Sequence, residues 1–187
     1  MGSAGTATTW PAFTTRNISS GTTVEYASGV AQTVSNAPTY ENLTLSGAGA
    51  KTAGGSLTVN KVFDCQASTF AIGAGNTLTL AGTSNNGIGT ITGSATSNVT
   101  INGTGDFGTL YFTPATTVQT FTLNRGGNGI VGIGSNLTLA GNFVKTQGIL
   151  DIGNNTLTLN LNTAACGAGT GIIIGGTTST VLLGNLG

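Results

Sequence analysis

GILDIGNNTLTLNLN, residues 148–162, holds two strand phrases and the corner between them. Gly148 opens a short apolar phrase, Gly153-Asn154-Asn155 turns the chain, and a Thr-centred phrase follows. Side chains alternate across a strand, so Leu157 and Leu159 share one face while Thr156 and Thr158 share the other.

Both phrases recur outward from this point. The Thr-centred one returns as NLTLSG (42–47), SLTVNK (56–61), NTLTLAG (76–82), NVTING (98–103), TFTLNR (120–125) and NLTLAG (136–141). The short apolar one, opened or closed by Gly, returns as FAIGAG (70–75), GTITGS (89–94), GTLYFT (108–113), GIVGIGS (129–135) and GIIIGGT (171–177). The central threonines are Thr44, Thr58, Thr79, Thr100, Thr122, Thr138 and Thr158. Their uneven but recurrent spacing is that of solenoid coils with loops of variable length. One coil cannot bury its own apolar face, but stacked coils make a continuous core. Leu43, Leu57, Leu78, Val99, Phe121, Leu137 and Leu157 fall inside on this reading, as do Ile72, Ile91, Leu110, Phe112, Ile133, Ile152 and Ile174 of the other phrase.

The fold expected is therefore all-β, a parallel β-solenoid (β-helix) with coils of about 20–22 residues. A sandwich of hairpins would alternate similarly, but the same two phrases would not return in the same order after each full coil. Residues 1–40 fit the repeat less well and are read as an irregular N-terminal cap or first coil, with an added or arbitrary start at 1–3. Residues 41–187 are read as solenoid repeats, a fragment of a longer array.

Composition excludes several functions. The chain carries five Lys/Arg, five Asp/Glu and no histidine in 187 residues. No basic stripe is available to neutralise nucleic-acid phosphates. No apolar run approaches the roughly 20 residues of a spanning helix, so no membrane insertion is expected. Without histidine, Ser-His-Asp and Cys-His catalysis are unavailable. Asp64, Asp106 and Asp151 fall two or more coils apart, which argues against the paired carboxylates of glycoside hydrolysis.

Several motifs dissolve on inspection. GAGAKT (47–52) has Ala50 where a phosphate loop needs glycine, and GNGIVG (127–132) runs into a strand phrase rather than a helix. GTGDFG (103–108) is a single copy of a pattern that binds calcium only in tandem. Cofactors are expected to be none. The N-glycosylation triplets at Asn17, Asn42, Asn98, Asn102, Asn136 and Asn154 arise from an Asn- and Thr-rich composition. Cys65 and Cys166 lie far apart in the chain. Their separation is about five coils, or on the order of 24 Å along the axis, and both are expected to be unpaired thiols.

The stretches GTTVEYASGVAQTVSNAPTYENLTLSGAGAKTAGGSLTV and GTLYFTPATTVQTFTLNRGGNGIVGIGSNLTLAGNFVKTQGILDIGNNTLTL resemble bacterial secreted β-strand-repeat surface proteins. Those exported Bacteroidota-type proteins are broadly comparable to autotransporter passengers and filamentous-haemagglutinin-like adhesins. The resemblance is a repeat style over about residues 20–187. It implies a secreted, cell-surface location and a structural or adhesive role for a stalk or filament, and it brings no functional residues with it. The chain is read as non-enzymatic, with partners that are other coils of the same protein or end-to-end and edge self-association.

The surface left for a ligand is the threonine ladder Thr44, Thr58, Thr79, Thr100, Thr122, Thr138 and Thr158. A regular array of methyls and hydroxyls is similar to the ice-binding faces of antifreeze solenoids, which makes ice binding the first alternative. Carbohydrate binding, with Tyr111 as an exposed stacking ring, is the second.

Overall fold

The computed structural model describes residues 18–85, 87–160 and 169–184. Every regular element among them is a strand, and every strand pairing is parallel. The chain is a β-solenoid of about seven turns. In its first part the coils are three-sided. The first coil carries β1 (Thr23–Tyr26) and β2 (Gln32–Val34), and the next carries β3 (Asn42–Leu45), β4 (Lys51–Ala53) and β5 (Leu57–Val59). Then come β6 (Val62–Cys65), β7 (Thr69–Ala71) and β8 (Thr77–Leu80), followed by β9 (Thr83–Ser84), β10 (Thr90–Thr92) and β11 (Asn98–Ile101). From there each coil has two strands: β12 (Gly108–Leu110) with β13 (Thr117–Asn124), and β14 (Ile130–Ile133) with β15 (Leu137–Gln147). The last pairs are β16 (Ile149–Asp151) with β17 (Thr156–Leu159), and β18 (Ile172–Ile174) with β19 (Thr180–Leu183).

Like strands stack on like. The sheets run β1-β3-β6-β9, β2-β4-β7-β10, β12-β14-β16-β18 and the seven-stranded β5-β8-β11-β13-β15-β17-β19. Alternation places one apolar residue in two inside, and a single core of side chains such as Leu43, Leu78, Val99, Phe121 and Leu157 runs along the axis. The expected interior residues are buried with one exception. Ile174 is exposed, because it continues the outward column of Asp151, while Ile173 stacks on buried Leu150.

The first coil begins before residue 41. β1 pairs with β3 from Thr23↔Asn42 to Tyr26↔Leu45, and Tyr40 bridges Val59. Tyr26 and Tyr40 fill this end of the core, both fully buried. Their hydroxyls lie 3.0 Å apart. Tyr40 donates to the Ser35 carbonyl, and Tyr26 accepts from the Ser35 amide. Burying two phenols is tolerable only because each hydroxyl is so paired.

The coil corners are tight enough to specify glycine. Gly103 has φ +89°, and a Cβ there would collide with the Ala81 carbonyl of the coil before.

Candidate functional site

Register decides which threonines form a surface, and it breaks the expected seven-residue ladder into three. Thr58, Thr79, Thr100 and Thr122 stack directly on successive strands β5, β8, β11 and β13. Beside them runs a second outward column, Thr77, Asn98, Thr120 and Asn142. Thr138 and Thr158 stack on each other and on Thr117, in another column of the same sheet. Thr44 belongs to a different sheet, between Glu25 and Asp64.

The cause is a sideways step in the seven-stranded sheet. TFTLN (120–124) does not lie under NLTLA (136–140), despite the matching letters. Its partner is the stretch after it: Phe121 pairs with Phe143 and Thr122 with Val144. NLTL instead lies over Thr117 and Val118, and the pairing slips by one residue between Val118 and Thr120, where Ala140 and Gly141 sit opposite Gln119. β13 and β15 are long because each spans both halves of the step. One plate of the sheet thus lies along β5, β8, β11 and the C-terminal halves of β13 and β15. The other lies along the N-terminal halves of β13 and β15, then β17 and β19. The two short intervals in the threonine series, Thr44 to Thr58 and Thr122 to Thr138, mark phrases that change sheet or plate. Paired rungs such as Leu78 and Val99 are instead one full coil apart.

The first letter of the phrase has a structural use. Asn42 Oδ1 accepts from the Val62 amide at 3.2 Å, Ser56 Oγ from Thr77 at 3.0 Å and Asn136 Oδ1 from Thr156 at 2.8 Å. Each side chain satisfies the amide at or beside the start of a strand in the following coil, where the ladder has not yet begun.

Two cations point inward, contrary to the usual behaviour of lysine and arginine. Lys51 is fully buried and donates to the carbonyls of Ser28 at 3.0 Å and Gly49 at 2.6 Å. It is therefore unavailable to a phosphate, which completes the case against GAGAKT. Burial holds its ammonium below the ordinary lysine range. Arg125 is also fully buried. Its Nε donates to Gly105 O (2.9 Å), Nη1 to Ala81 O (2.9 Å) and to Asn102 O, and Nη2 to Thr104 O (2.7 Å). The guanidinium lies 5.7 Å from the centre of the Phe107 ring. It binds corner carbonyls of successive coils together. Burial lowers its pKa, and Asp106 opposes that shift.

Cys65 is buried and unpaired, with Sγ 3.5 Å from the Ser68 carbonyl. Cys166 lies outside the described residues. Burial, with Asp64 adding, pushes the Cys65 thiol up to about 11, against the opposing pull of the Ser68 side chain and of Lys51. A raised folded pKa gives stability that is complete below the unfolded value and is lost as pH rises through the folded one. Between about pH 9 and 11 the protein is therefore expected to lose on the order of 2–3 kcal/mol through this group. Lys51, shifted the other way, offsets part of that loss. Calorimetric melts of the protein and of Cys65→Ala isolate the thiol: the variant's alkaline decline should be shallower, and superimposable declines would refute the assignment. With no histidine, no side chain has an ordinary pKa between 5 and 8.

One carboxylate arrangement escaped the sequence. Glu25, Thr44 and Asp64 form an outward column, which puts the two acids two rungs, or about 10 Å, apart. Both are engaged: Ser46 Oγ donates to Glu25 at 2.5 Å and Gln66 to Asp64 at 2.9 Å. Glu25 was hidden because residues 1–40 resist alignment with the repeat. Asp106 and Asp151 bind backbone amides, of Ile130 and Gly153. Tyr111 is half-buried, and its ring lies over Gly134. Among the described residues no three His, Cys, Asp or Glu cluster as a metal set, and no helix is long and apolar enough to cross a membrane.

These sheets and their in-register ladders define a parallel β-solenoid. Comparisons with family models, curated proteins and solved structures return no match to this chain.

Proposed function

We propose that this chain is a structural, adhesive rod: a non-enzymatic solenoid segment of a secreted bacterial surface protein, stalk or filament. The observation that carries the reading is the unbroken stacking of coils, each adding about 4.8 Å of length on one shared core. Internal cations add to it, because Lys51 and Arg125 strengthen corners rather than serve a ligand. The outer faces carry hydroxyls and amides, suited to contacts that depend on shape and hydrogen bonding. Antibody raised against this chain should label intact cells of the organism that encodes it. Labelling that requires lysis would remove the surface role.

A second reading, ice binding, draws support from the four-rung Thr58, Thr79, Thr100 and Thr122 column with Thr77, Asn98 and Thr120 beside it. Hydroxyls there repeat at about 4.8 Å across strands and about 6.8 Å along them. Replacing Thr79 and Thr100 by tyrosine should abolish thermal hysteresis, while Thr44→Tyr, on another sheet, should leave it intact. No hysteresis at millimolar protein ends this reading.

A further inference from the structure

Two of the three sheets that frame the early coils stop inside the chain. The sheet β1-β3-β6-β9 ends at β9, the sheet β2-β4-β7-β10 ends at β10, and β12 starts a sheet of its own. Hydrogen bonds across this level show why. The Ser84 amide donates to the Phe107 carbonyl, and the Ile91 amide to the Tyr111 carbonyl. An advance of seven residues in one coil (84 to 91) therefore faces an advance of four in the next (107 to 111). The corner around Ile88 has no counterpart there, and Ile88 is 80% exposed. Two sides of the rod merge into one, and β10 keeps an isolated bridge, Ile91 to Phe112, in place of a ladder. The seven-stranded sheet passes through. Its β11–β13 pair carries the core columns on from Val99 to Phe121 and from Ile101 to Leu123.

One side chain reaches across the change. Arg125 follows β13 on the far side, and its guanidinium binds the carbonyls of Ala81 and Asn102 on the near side. Its other partners, Thr104 and Gly105, lie in the connecting corner, residues 102–106. The stability of a stack of coils is a sum of coil terms and neighbour terms, so the stack parts where the neighbour term is smallest. The slip opposite Gln119 is a lesser break. There β13 and β15 pair on both sides of it, and β12 pairs with β14 alongside.

We propose that this change of cross-section is a joint: the coils of β1–β11 and those of β12–β19 open as two separate cooperative units, fastened by Arg125. Opening of one unit leaves the other standing, so the rod can lose part of its length without losing the whole.

Native-state hydrogen exchange of the intact chain, read by peptide mass in rising sub-denaturing urea, tests this. Amides should fall into two groups of separate urea dependence, dividing within residues 102–106. Lys51 has both its partners, Ser28 and Gly49, in the first unit. Lys51→Met should therefore speed exchange roughly tenfold or more in β1–β11 and leave β12–β19 within about twofold. Phe143→Ala, in the second unit, should do the reverse. Arg125→Met should speed exchange in both units, as neither of the other variants does. One common urea dependence for all amides, a division at Ala140–Gly141, or an equal effect of Lys51→Met on both units would each overturn the joint. An Arg125→Met effect confined to one unit would overturn the fastening.

Discussion

Replacing Arg125 by methionine is expected to cost about 3–5 kcal/mol of stability, among the largest effects of any single change in this chain. Burying a cation is ordinarily unfavourable, and an apolar substitute for a buried ion pair is often neutral or better. Arg125 differs in what it holds. Its partners are the main-chain carbonyls of Ala81, Asn102, Thr104 and Gly105, which no substitution at position 125 removes. Methionine fills the volume but leaves those acceptors short of a donor at the corner of several coils, at about 1–3 kcal/mol each before water enters. Arg125→Lys should fall between the two, because a single ammonium cannot match the planar fork. Urea unfolding of the three proteins decides the matter. A methionine variant within about 1 kcal/mol of the parent would show that the guanidinium is a passenger.

Phe121→Ala is expected to cost about 3–5 kcal/mol through the cavity it leaves. Phe121 is fully buried, and its ring centre lies 6.2 Å from that of Phe143 on the next rung, tilted by 49°. It stands where the sheet steps sideways. There β13 and β15 must serve two plates at once, and the surroundings have little freedom to close around a void. Conservative Phe121→Leu should recover more than half of the loss. A small effect of Phe121→Ala would mean that the junction repacks and that its register is loosely held.

The solenoid was legible because two signals agree. The period-two alternation of NTLTL names a strand face, and the steady return of the phrase from Thr79 to Thr100 to Thr122 names a coil. The ladder was only partly legible, since identical letters do not mean identical register. TFTL and NLTL look alike, yet what fixes their positions is the single-residue slip opposite Gln119, and nothing in either phrase announces it. Lys51 and Arg125 were opaque for another reason. A cation beside a glycine corner reads as surface, and only the stacking of carbonyls from distant coils turns that corner into an interior binding place. Ile174 misled because III offers no alternation from which to choose a face.

The step between the two plates has the character of a dislocation in a two-dimensional crystal. On one side the lattice of hydroxyls runs through Thr58, Thr79, Thr100 and Thr122, and on the other through Thr117, Thr138 and Thr158. The two lattices share a pitch but are out of phase along the strands. A rigid partner with its own repeat, whether mineral, frozen or fibrous, can fall into step with only one of them. Matched contact then ends at the fault line, whatever the length of the rod, and a longer grip would require a sheet without the extra residue at Ala140 and Gly141.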